Sequence, residues 1–69
     1  MKGAVQMDEQ RAIESHRRTI RDHIDKYKRY EGSEKNTALS TIQNAQQQIR
    51  DIMRRKPSIS GSWEDNWSP

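Results

Sequence analysis

From Met7 to Tyr30 the chain runs without Gly or Pro, and Ile13, Ile20, Ile24 and Tyr27 fall 7, 4 and 3 residues apart. That is the spacing of one face of a helix, so the pattern predicts a helix over about 7–30. Asp8 and Glu9 stand near its start and Lys26, Lys28 and Arg29 near its end, an order that complements the helix macrodipole. Glu14 with Arg18 and Asp22 with Lys26 are acid-before-base pairs four residues apart. The segment Glu31-Gly32-Ser33-Glu34-Lys35-Asn36 interrupts the pattern and predicts a turn over 31–36. Gly32 suits the end of the first helix, and Ser33 or Asn36 suits the N-cap of the next. A second stripe follows: Ala38, Leu39, Ile42, Ala45, Ile49, Ile52 and Met53 recur at intervals of three and four. It predicts a helix over about 37–56, closed by Arg54, Arg55 and Lys56 and stopped by Pro57. Gln43 and Gln46 to Gln48 read as a lightly polar surface between stripe positions.

Two helices of similar length on so short a link lie antiparallel. Arg54 to Lys56 then come beside Asp8 and Glu9. Residues 1–6 read as a flexible N-terminus, 7–57 as the hairpin and 58–69 as a Ser- and Trp-rich tail. The fold class is all-α: an antiparallel two-helix hairpin with an irregular Trp-containing C-terminal tail. Within the tail, Ser62 three residues before Asp65 echoes a capping box, and a single helical turn would put Trp63 and Trp67 on one side.

A hairpin covers each apolar stripe on one side only. A chain of 69 residues buries just ~60% of its unfolded surface, so the open side needs a cover. A second copy, completing a four-helix coiled-coil-like bundle, is the first expectation; the chain's own tail is the second, and the two are compatible.

Length and composition remove whole classes. Sixty-nine residues cannot build a nucleotide-binding sheet, a barrel or a two-domain enzyme. Without Cys there is no disulfide scaffold and no thiolate metal or redox site. No run approaches the ~20 apolar residues of a membrane span. The opening Met-Lys-Gly-Ala-Val-Gln lacks the apolar core of a signal peptide, which implies a cytoplasmic location unless the chain is cut from a larger secreted protein. No cofactor, membrane or small-molecule substrate is implied.

Thirteen Lys and Arg stand against ten Asp and Glu, a net charge of +3. The excess lies in the two helices, and the tail is mildly acidic. Arg17, Arg18 and Arg21, with Arg11 before them, form one basic band; Arg50, Arg54, Arg55 and Lys56 form another. As a nucleic-acid surface these bands would grip phosphates without reading bases, with Tyr27, Tyr30 and the two Trp available to stack. Acids punctuate the first band, as on an ordinary solvated face.

His16 and His23 are seven residues apart on one helical face. That puts the rings ~10 Å apart, too far to share one metal ion without a second helix, so they read as amphipathic residues at a core edge. No carboxylate pair falls in an apolar stripe, and Ser15, Ser33 and Ser40 have no base in attendance, so no catalytic residue and no metal ligand is assigned. Trp63 and Trp67, with Ile59, are the candidate protein-binding residues, because Trp is enriched among interface anchors.

The stretch from His23-Ile-Asp-Lys-Tyr-Lys to Ala38-Leu-Ser-Thr-Ile-Gln-Asn-Ala-Gln-Gln-Gln-Ile resembles the helical C-terminal segments of bacterial polymorphic toxins. That resemblance implies a fragment or relative of a secreted competition protein whose last domain is often a nuclease, hence a nuclease-associated chain acting on RNA or DNA or one bound by an immunity protein. It covers about half of the chain, matches no catalytic motif and transfers no functional residue. The residues themselves point first to a non-enzymatic interaction or regulatory module, a homo-oligomer or the partner of another protein, and second to a nucleic-acid binder.

Overall fold

The computed structural model describes residues 3–69, with side chains from Glu9 onward. Helix α1 spans Gly3–Arg29, helix α2 spans Ser33–Arg55, and a single 3₁₀ turn spans Trp63–Asn66, with no strand among the described residues. Helix α1 starts earlier than the stripe suggested. Of the expected flexible leader, Gly3 to Gln6 belong to α1, while Met1 and Lys2 lie outside the described residues.

The connection between helices is shorter than the expected 31–36, because one residue reverses the chain. Gly32 has φ 68° and ψ −140°, a conformation open to glycine and strained for L side chains. Its carbonyl accepts from the N–H groups of Lys35 at 3.1 Å and Asn36 at 3.3 Å, starting α2 at Ser33. Gly32 is therefore itself the N-cap of α2, and neither Ser33 nor Asn36 caps it through a side chain. At the far end Lys56 N–H donates to the Ile52 carbonyl at 2.8 Å, and Pro57 follows.

The helices lie antiparallel, as contacts at both ends show. Near the turn, Lys35 Nζ sits 4.7 Å above the Tyr27 ring. At the opposite end Glu9 faces both Arg55 and Lys56, each at 3.7 Å. The side chain of Asp8, expected in the same cluster, lies outside the described ones. Asp22 and Lys26 pair at 3.2 Å as their spacing predicts, whereas Glu14 and Arg18, both described, form no ion pair.

Ile13, Ile20, Ile42 and Ile49 are completely buried in the seam, flanked by Ile24, Ala38, Ala45 and Ile52. Tyr27, Met53 and Trp67 close over this core from the edge. The expected open side is largely covered within the single chain by the tail, which folds back as a strap. Among the described side chains the large apolar ones left exposed are Tyr30 and Trp63. Of the two covers expected for the stripe, the chain's own tail is the one the single chain supplies.

Candidate functional site

Helix α1 places Arg17 between Ile13 and Ile20, on the core-facing side, where its guanidinium is largely shielded from water beneath the strap. Arg17 is only 8% exposed. Its Nε and one terminal nitrogen donate to the two carboxylate oxygens of Asp65 at 3.0 and 2.8 Å, a two-pronged pair. The same terminal nitrogen also donates to the Ser60 carbonyl at 3.0 Å. One turn on, Arg21 donates to Glu64 at 2.7 Å. Two consecutive acids of the strap are therefore held by two arginines one helical turn apart.

Helix α2 contributes the third anchor. Gln46 lies one turn after Ile42, and its buried amide nitrogen donates to the carbonyls of Glu64 at 3.0 Å and Trp67 at 2.8 Å. The strap is also braced internally. Ser62 N–H donates to Asp65 at 3.0 Å, the carboxylate half of the capping box expected from the sequence, and the Ser62 hydroxyl donates to Glu64. Among the described residues, no buried side-chain nitrogen or oxygen lacks a partner. That completeness is what makes two nearly buried carboxylates tolerable.

The electrostatics follow from these contacts. Hydrogen bonding to Asp65 outweighs burial and raises the Arg17 guanidinium above its ordinary value. Burial pushes the Glu64 carboxyl up, but hydrogen bonds from Ser62 and Arg21 overcome it and hold the group below the ordinary glutamate value.

The two tryptophans part company. Trp67 meets the Tyr27 ring edge-on with centroids 5.8 Å apart and belongs to the core's rim. Trp63 is 58% exposed, although the next two residues, Glu64 and Asp65, are both buried. Ile59 is half-buried. The three residues expected to bind a partner together are divided, and Trp63 is the one presented to solvent.

The basic bands are divided as well. Arg17 and Arg21, expected among phosphate-gripping residues, are engaged by the strap's acids, and Arg17 is withdrawn from solvent. Arg18 and Arg50 are exposed. Arg54 is exposed beside Asp51 at 3.5 Å, and Arg55 and Lys56 face Glu9. His16 and His23 line separate shallow clefts, His16 with Gln48, Asp51 and Arg55, and His23 with Lys26, Tyr30 and Thr37. The Nδ1 of His23 lies 2.9 Å from the Thr19 carbonyl, within its own helix. Among the described residues no three His, Asp or Glu side chains are grouped to hold a metal ion.

Glu64 was not singled out by sequence, Asp65 was noted only for its spacing from Ser62, and Gln46, read as surface between stripe positions, is buried instead; together they form the heart of the site. A signal for them existed. Positions 13, 17, 20 and 24, like 42, 46, 49 and 53, step by four, three and four, so Arg17 and Gln46 interrupt the apolar stripes they belong to. A polar residue at such a position needs a buried partner.

No family profile matches the chain, and no curated protein or solved structure matches it significantly. The resemblance to polymorphic-toxin segments thus rests on the residues quoted for it above. No helix of the described residues is long and apolar enough to cross a membrane.

Proposed function

We propose that this chain is a small non-enzymatic interaction module that presents Trp63 to a protein partner from a strap fastened to a helical hairpin. The observation that carries this reading is the exposure of Trp63, 58%, on a turn whose adjoining carboxylates are buried and ion-paired. An indole in water is a large apolar surface with nothing to cover it, and Trp is the residue most enriched among binding anchors. Fixing the turn in advance also lowers the ordering cost of association. Ile59, half-buried on the same tail, adds apolar surface, while Trp67 supports the turn from below. A second copy of the chain is one such partner, and its binding would complete the bundle expected from the sequence.

Replacing Trp63 in the full chain by a photoreactive aromatic residue, inside the cell that makes it, tests this. The expected result is one polypeptide adduct of discrete mass. Excess wild-type chain should suppress it and Trp63→Ala chain should not. Sedimentation equilibrium then tells a second copy from another protein. Adducts with nucleic acid alone, or equal competition by both chains, would overturn the proposal.

A further inference from the structure

Among the described residues six side-chain hydrogen bonds join the helices to the strap, and all six run one way. Arg17 supplies three, Arg21 one and Gln46 two, and every acceptor is a carboxylate or a main-chain carbonyl of the strap. The helices act as a receptor made of donors, and the strap as its ligand made of acceptors. Gln46 takes hold of main-chain carbonyls, a contact that any peptide can make. The two arginines select adjacent acids, and the Tyr27 ring meets an aromatic ring two residues further on nearly at right angles. Trp63, Asn66 and Ser68, between and after these contact residues, are exposed.

We infer that the groove formed by Arg17, Arg21, Tyr27 and Gln46 is a binding site for an acidic-aromatic peptide of the pattern Glu-Asp-x-Trp on another polypeptide, with the chain's own strap as its intramolecular competitor. The seated strap shows the chemistry of the occupant directly. The tether from Lys56 to Ser60 keeps the strap at an effective concentration on the order of millimolar. A peptide in trans must outcompete that, so the intact chain binds it weakly and a chain with a loosened strap binds it well. This inference does not rest on Trp63, which touches none of the four groove residues through a hydrogen bond or ring contact.

The test uses the full chain with a site-specific protease sequence inserted between Pro57 and Ser58, cut after folding. A labelled synthetic peptide of residues 58–69 is titrated into the cut and uncut chains and followed by anisotropy. The cut chain should take up the peptide saturably, at least about tenfold more tightly than the uncut chain. An Asp65→Asn peptide should bind at least about tenfold more weakly, whereas a Trp63→Ala peptide should bind within about twofold of the parent. If the insertion prevents folding, the uncut Asp65→Asn chain serves instead, with the expectation that it binds the wild-type peptide more tightly than the wild-type chain does. Loss of helical circular dichroism when the strap leaves would overturn the inference, as the groove would then not exist without its occupant. So would a peptide affinity indifferent to Asp65. Because the Trp63→Ala peptide is expected to bind, failure here is separable from failure of the proposed role of Trp63.

Discussion

Arg17 shows how one side chain can decide the course of a whole segment. A guanidinium in an apolar stripe cannot be left unpaired, and no acid on α2 is paired with it; Asp65, 48 residues away in sequence, supplies the partner. Removing either partner strands the other charge away from water, a loss of ~3–5 kcal/mol for buried pairs. Arg17→Ala should therefore lower unfolding stability by about 3 kcal/mol in urea titrations, a large fraction of what a small domain possesses. Lys at the same position should not restore it, because an ammonium cannot span both carboxylate oxygens. Glu64 carries a pH dependence of known sign. Its carboxyl is depressed in the folded state, so its stabilisation is complete above the unfolded value of about 4.3 and disappears as pH falls through the lower folded value. Unfolding free energy measured between pH 7 and pH 2 should drop in that acid window, and the drop should be shallower in Glu64→Gln.

At the scale of elements, both helices were legible because their apolar spacing and the Gly-containing break are local properties. Their limits were less so. The turn expected over 31–36 closes at Gly32, since a single residue with positive φ reverses the chain and lets Ser33 enter α2 at once. A Cβ at Gly32 would meet nothing within 4 Å, so substitution there is strained by backbone conformation alone. Gly32→Ala should cost about 1–2 kcal/mol in thermal or urea unfolding, with helix content unchanged by circular dichroism. The strap was the element hardest to foresee. Its composition, Ser-rich with isolated aromatics, marked it as irregular, and the Ser62–Asp65 spacing hinted at its turn. Its place on the hairpin depends on partners 18 to 48 residues distant, which no local pattern encodes.

For the molecule as a whole, the division of the two tryptophans is the property most open to measurement. In a chain carrying Trp63→Phe, the remaining indole of Trp67 should emit toward the blue and resist acrylamide quenching, being set against Tyr27. In a chain carrying Trp67→Phe, Trp63 should emit as a solvated indole and quench readily. Equal behaviour of the two would contradict the strap as described. The same arrangement relieves the shortage of core that two bare helices would suffer, since the strap covers in cis what a second copy was expected to cover.

Sequence alone determined the helices, their antiparallel pairing and the isoleucines of the seam, because periodicity and a short link are conditions that only neighbouring residues must satisfy. It also marked the tail as a separate and unusual segment. Tertiary structure decided the rest: which tryptophan is buried, which arginines remain available to a partner, and that Gln46, Glu64 and Asp65 act together. Those outcomes follow from satisfying buried polar groups, and that requirement is met between residues far apart in the chain, by geometry that exists only once the helices have packed.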